Sequence, residues 1–141
     1  MPSGGTSDYA AEMIHTVAQG QPYACFVRED TRIPFMTMPD AVAALLDVLD
    51  RGEESLTSPV YNVVAFNPSA GELAARVRRV FGGADITFAP DARRQAIVDS
   101  WPEDMDDARA RRDWGFRPAY DLDRAFDDYL VPNITRRYAG S

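Results

Sequence analysis

Two stretches of this sequence combine residue types in patterns that could bind a small polar ligand. The first is Ser3-Gly4-Gly5-Thr6-Ser7-Asp8. A glycine pair lets the backbone turn tightly, and the helix expected after it offers open N–H groups and a positive dipole end beside two hydroxyls. That is a cradle for a carboxylate, with Gly5, Thr6 and Ser7 as its residues. The alternative is an ordinary helix start, with Thr6 or Ser7 as N-cap and Asp8 offsetting the dipole. The second stretch runs from Arg94 to Pro102 and ends Asp99-Ser100-Trp101-Pro102. Trp101 falls outside any apolar period, so it reads as a lid or wall of a pocket; the alternative is an aromatic packed in the core. Arg94 and Arg32 carry the forked guanidinium that grips a phosphate or carboxylate in bidentate fashion, the alternative being a salt bridge to a local acid.

Other chemistry-bearing residues have plainer readings. Asp40, after Pro39, reads as a first-turn helix acid, and His15 as a solvated or partly packed imidazole with no partner for base catalysis. The run Glu103-Asp104-Met105-Asp106-Asp107 lacks the glycine and closing glutamate of a calcium loop and reads as the solvated start of a helix. Cys25 is the single cysteine, so no internal disulfide forms, and its apolar neighbours suggest a buried strand position. One Cys and one His cannot assemble a Cys/His-rich zinc site, so no metal ligands are assigned.

These groups have to be held by a folded scaffold, and the composition supports one. The chain has 141 residues, 45% hydrophobic and 26% charged, enough for one globular domain. A net charge of −7 argues against a nucleic-acid partner, and no apolar run approaches the roughly 20 residues that span a bilayer. With no secretory pattern at the start, a cytoplasmic location is expected. All fifteen basic residues are arginine; lysine is absent.

Apolar periodicity and caps predict a helix over 7–19, a strand over 22–28, an extended stretch over 32–38 and a second helix from Pro39 to Gly52. An apolar strand follows at 60–66, suited to a sheet covered on both faces. The capping box Ser69-Ala-Gly-Glu72 opens a helix over 70–81, with a short strand at 85–89. Residues 91–102 read as irregular. A short helix starts at Asp106 or Asp107 and ends at Trp114-Gly115, and a last one starts at Asp121. Residues 1–131 form the domain, and the tail 132–141 should fray. Alternation of strands and helices makes the class α/β, with an α+β-like character.

Four segments in this order resemble the C-terminal part of L-threonine 3-dehydrogenases, a branch of the extended short-chain dehydrogenase and nucleotide-sugar epimerase/dehydratase superfamily. They are Ser-Gly-Gly-Thr-Ser-Asp-Tyr-Ala (3–10), Asp-Thr-Arg-Ile-Pro-Phe-Met-Thr-Met-Pro-Asp-Ala (30–41), Arg-Gln-Ala-Ile-Val-Asp-Ser-Trp-Pro (94–102) and Asp-Asp-Ala-Arg-Ala-Arg-Arg-Asp-Trp-Gly-Phe-Arg-Pro (106–118). The stretch 94–102 is the most specific. The resemblance implies the substrate lobe of an enzyme that oxidises L-threonine to 2-amino-3-ketobutyrate with NAD. It implies that Thr6 helps hold the amino acid, that Trp101 lies near it, and that Arg32 and Arg94 fall where sugar epimerases hold a diphosphate. Ser3 departs from a family glycine, and Ser7 stands where threonine is common.

The sequence lacks the parts of that enzyme that perform the chemistry. None of its nine glycines makes the turn that cradles a dinucleotide, and without lysine it cannot supply the family's Tyr-x-x-x-Lys pair. No catalytic or NAD-binding residue is therefore assigned, and the chain alone is expected to be inactive. L-Threonine and an N-terminal Rossmann half are the implied partners, with self-association covering faces the missing half would bury. Two other readings stand beside this one: the equivalent lobe of a nucleotide-sugar epimerase or dehydratase, and a stand-alone non-catalytic binding module.

Overall fold

A computed structural model describes residues 4–139. Ser3 and the last two residues of the expected tail lie outside that range. Helix α1 spans Tyr9–Ala18 and buries Tyr9, Met13, Ile14 and Val17, the stripe its spacing predicts. Asp8, rather than Thr6 or Ser7, is its N-cap residue.

Strand β1 (Tyr23–Cys25) pairs in parallel with β2 (Ile86–Phe88), Tyr23 opposite Ile86 and Cys25 opposite Phe88. A parallel pair needs a long crossover, and α2 (Met38–Leu49) and α3 (Ala70–Val80) lie in it. The capping box forms as the sequence predicts. Ser69 Oγ accepts from the Glu72 amide at 3.1 Å, and the Glu72 carboxylate accepts from the Ser69 amide at 2.7 Å. Short helices α4 (Ala92–Val98), α5 (Ala108–Trp114) and α6 (Leu122–Arg124) follow, then a π-helical turn at Ala125–Leu130 and α7 (Val131–Tyr138).

Two apolar clusters hold these elements. The larger joins the buried faces of α1 and α3 to Cys25, Phe26, Ile86, Val98, Phe126 and Ile134. Cys25 is fully buried there, and burial raises its thiol pKa. The smaller gathers Ala44, Ala110, Trp114 and Phe116, with Met36, Val48 and Tyr61 packed against it.

Two expectations are corrected. Residues 92–98 are helical rather than irregular, because Asp91 caps α4 by accepting from the Arg93 and Arg94 amides at 3.0 and 2.9 Å. Residues 60–66 are not a strand; they meet another segment at Phe35 through the Ala65 and Phe66 amides or carbonyls, and an apolar run without a ladder partner does not become one. Within the tail the described residues are helical, from Val131 to Tyr138. Pro132 has no N–H to give to the carbonyl four residues back, and the wider π turn just before it relieves the clash so that the helix continues. Ile134 is buried in the larger cluster, and the Tyr138 hydroxyl lies 2.9 Å from His15 Nδ1.

Candidate functional site

The turn before α1 is fixed from both sides. Gly4 has φ +76°, a conformation that favours glycine, and the Gly5 N–H donates to the Asp8 carboxylate at 3.0 Å. The Gly5 carbonyl accepts from the Asp8 amide at 3.2 Å and from Arg94 Nη2 at 2.7 Å. Thr6 and Ser7 lie between these two anchors, partly exposed.

Arg94 is held as firmly as the turn it holds. Its guanidinium carbon stands 3.1 Å from the centroid of the Phe26 ring, and Nη2 lies 3.8 Å from Glu12 of α1. Phe26 meets Tyr9 edge-on at 6.2 Å, and Tyr9 meets Phe35 edge-on at 6.1 Å. Edge-on ring contacts therefore run from Phe26 through Tyr9 to Phe35. Burial raises the pKa of the Tyr9 phenol far above its ordinary value, so this ring is a packing element and not a base.

A cavity of about 790 Å³ opens beside the turn, with Ser7, Asp8, Phe35, Met38, Trp101 and Met105 among its walls. Trp101 is 39% exposed and belongs to neither apolar cluster, which favours the wall over the core reading. Ser7 and Trp101, 94 residues apart in sequence terms, are thus brought to one space, while Gly5 and Arg94 secure its rim. The same helix accounts for both: α4 carries Arg94 in its first turn, and the Trp101 amide donates to the Val98 carbonyl at 3.0 Å as the chain leaves it. Sequence reasoning missed the apolar wall; the signal was the run Ile33-Pro34-Phe35-Met36, read only as an extended stretch.

The rest of α4 is committed to fixing its own position. The Gln95 side chain is buried, accepting from the Arg28 amide at 2.7 Å and donating to Asp99 at 2.6 Å. Asp99 receives both terminal nitrogens of Arg28 at 2.9 Å, and this hydrogen bonding lowers its carboxyl pKa. Arg32 is engaged in the same way: it donates to Glu72 at 2.9 and 3.2 Å and to the Asn67 carbonyl at 2.9 Å.

Asp40 is the first-turn acid of α2 and also a clamp. It is 4% exposed and accepts from the Ala119 and Tyr120 amides at 2.7 and 3.2 Å. Asp113 has no counterpart among the sequence candidates. It accepts from the Thr57 hydroxyl at 2.5 Å and the Tyr61 hydroxyl at 2.8 Å, bonds that pull its pKa down to about 2. His15 sits against Tyr138 with its pKa lowered by burial. Among the described residues no group of three or more His, Cys, Asp or Glu is placed to hold a metal ion, and no helix is long and apolar enough to cross a membrane.

The residues present do not fit NAD. A dinucleotide needs a glycine-rich turn directly after a parallel strand, whereas Phe26-Val27 follows β1 and Ala89-Pro90 follows β2.

Among protein-family models none matches this chain. The mitochondrial L-threonine 3-dehydrogenase of Bos taurus is 39% identical over 121 residues, 86% of this chain and 32% of the relative. An uncharacterized epimerase/dehydratase of Staphylococcus haemolyticus is 34% identical over 122 residues, 86% of this chain and 38% of the relative. The chain thus spans about a third of the length of these curated relatives. In three dimensions it is similar to a monomeric L-threonine 3-dehydrogenase of metagenomic origin, with TM-score 0.88 and 36% identity over 97% of this chain and 44% of that one. The GalE-like L-threonine dehydrogenase of Cupriavidus necator in its holo form gives TM-score 0.87 and 35% identity over 97% and 43%. The homologues and structural neighbours of this chain are L-threonine 3-dehydrogenases and epimerase/dehydratases, and it matches the C-terminal part of their fold.

Proposed function

We propose that the chain is the substrate-side part of an NAD-dependent L-threonine 3-dehydrogenase and acts together with a nucleotide-binding half that it does not itself contain. The observation that carries this reading is the cavity in which the pinned turn, through Ser7, faces Trp101. Its mostly apolar lining suits the methyl-bearing side chain of a small amino acid, and the polar groups sit at one end. Ser7 supplies a hydroxyl there, and Thr6 precedes it in the same turn. Asp8 adds negative charge at the rim, which favours the substrate's ammonium group over the carboxylate that the glycine turn alone invites.

In this reading Arg94 positions the turn, with Nη2 donating to the Gly5 carbonyl and the guanidinium lying on the Phe26 ring. Arg32 is likewise paired with Glu72. With both arginines occupied inside the chain, a diphosphate lacks its expected grip, which supports threonine over a nucleotide sugar. The dinucleotide and the base that takes the hydroxyl proton belong to the other half. NAD, when bound there, accepts the hydride from the substrate's carbinol carbon.

The reading is tested by co-expressing this chain with the nucleotide-binding half of a threonine dehydrogenase and following NADH formation with L-threonine. Turnover confined to the complex, and reduced by Thr6→Ala or Trp101→Ala, supports it. An assembled complex that does not oxidise threonine refutes it.

A further inference from the structure

Glu12 does not line the cavity, yet three elements meet at its side chain. It lies on α1 one helical turn after Asp8, its amide donating to the Asp8 carbonyl at 2.8 Å. Its two carboxylate oxygens face different partners. Oε2 accepts from the Tyr23 hydroxyl of β1 at 3.2 Å, and Oε1 stands 3.8 Å from Nη2 of Arg94 on α4. Tyr23 is buried and the Glu12 side chain is 22% exposed, so solvent screens these contacts only in part. Burial, with Cys25 and Glu12 beside it, pushes the Tyr23 phenol far above its ordinary pKa, so the hydroxyl stays protonated and donates.

The partner that Glu12 attracts is the one that holds the turn. Gly5 is fixed at both of its backbone polar groups. Its N–H donates to Asp8 directly at 3.0 Å, and its carbonyl accepts from Arg94 Nη2 at 2.7 Å, the same nitrogen that faces Glu12. A Cβ at Gly5 would stand 3.3 Å from the Asp8 carboxyl, so the turn has little slack toward the helix. Ser7, two residues on, lines the cavity. Among the described residues, the Glu12 carboxylate is the only one within ion-pair distance of Arg94.

We infer that Glu12 is a positioning residue for the candidate site: oriented by Tyr23, it draws the Arg94 guanidinium toward the Gly5 carbonyl and so sets where Ser7 stands in the cavity. Two acids one turn apart on α1 then divide the work, Asp8 taking the Gly5 N–H and Glu12 acting on the Gly5 carbonyl through Arg94. The plainer alternative is an ion pair that adds stability and does nothing for the turn. The inference rests on the threonine-binding role proposed above for the cavity, although its first readout does not require it.

The test compares wild type with Glu12→Gln, which keeps the size and removes the charge, and Tyr23→Phe, which removes only the hydroxyl that orients the carboxylate. Hydrogen exchange is followed at the Asp8 amide, which donates to Gly5, and at the Phe116 amide, which donates to Ala110 in the smaller apolar cluster. Exchange at Asp8 should quicken about 3–10-fold in Glu12→Gln and less in Tyr23→Phe, with Phe116 unchanged. In the complex with the nucleotide-binding half of a threonine dehydrogenase, Glu12→Gln should raise KM for L-threonine about 3–10-fold and leave kcat within about twofold, the pattern of lost binding rather than lost chemistry. Equal quickening at Asp8 and Phe116 overturns the inference, because Glu12 then supports only the fold. So does unchanged exchange at Asp8, or a KM that does not move in an active complex. A wild-type complex that does not oxidise threonine removes the functional reading, and the exchange comparison then decides the role of Glu12 by itself.

Discussion

Replacing Arg94 by methionine separates its role as a strut from any role in contacting substrate. The side chain is 29% exposed, so solvent screens it only in part. A hydrogen bond from a charged donor contributes about 1.5–3 kcal/mol, and a guanidinium stacked on a ring roughly 0.5–2 kcal/mol. The Gly5 carbonyl keeps the Asp8 amide as a second donor, so the substitution orphans no buried acceptor. Methionine also retains part of the contact with Phe26. The net loss is therefore about 2–3 kcal/mol, near the lower end of the combined range. For a chain of this size that corresponds to a melting point lower by about 6–9 °C. Circular dichroism melts read the global effect. Hydrogen exchange at the Asp8 amide, which donates to Gly5, reads the turn itself. Arg94→Lys keeps the charge but not the flat fork, and should recover less than half the loss. If the methionine variant melts within about 1 °C of wild type and Asp8 exchange is unchanged, the latch does not exist as described.

Trp101→Ala should leave the melting point nearly unchanged, because exposed substitutions fall within about 0.5 kcal/mol, yet weaken threonine binding by the assembled complex about 10-fold or more; a titration by calorimetry separates the two. Asp40→Ala removes the acceptor for the Ala119 and Tyr120 amides and should cost roughly 2–4 kcal/mol, read as a lower urea midpoint at constant m-value. Asp113, held near a pKa of about 2 by the Thr57 and Tyr61 hydroxyls, contributes stability that is complete above its ordinary range and lost as pH falls through about 2. Asp113→Asn should flatten the acid limb of a stability profile. His15 has its pKa lowered, chiefly by burial and further by Arg137, so the folded state binds its proton less readily than the unfolded chain does. Stability contributed there is present at neutral pH and is lost as pH falls below the ordinary histidine value, and His15→Gln should remove that loss when hydrogen exchange is followed at Ile134 in α7.

Much of this arrangement was legible in the sequence, and the gaps have physical causes. The capping box of α3 and the apolar stripe of α1 follow from local rules that tertiary packing did not override. Helix α4 escaped notice because it buries only Gln95 and Val98, too few apolar positions for a period. Its signal was the cap at Asp91 followed by Ala-Arg-Arg-Gln-Ala, a run of strong helix formers. The opposite error at 60–66 came from β propensity without a partner to pair with. Of the site residues, Ser7 and Trp101 line one cavity, while Arg94 donates to the Gly5 carbonyl of the turn beside it. A guanidinium's type announces what it can grip, not whether a backbone carbonyl has claimed it first.

The way α4 joins the two sides of the cavity limits how this segment can change length. Arg94 and Trp101 are placed by one short rigid rod, so their relative direction depends on the number of residues between them. Adding or deleting one residue inside the helix would swing everything beyond it by about 100° and shift it about 1.5 Å along the axis. The indole would then leave the cavity while the latch stayed closed. Substitutions along 95–100 are open to repair by neighbouring side chains, but an insertion there is not, so the count of residues from Arg94 to Trp101 is constrained more tightly than their identities.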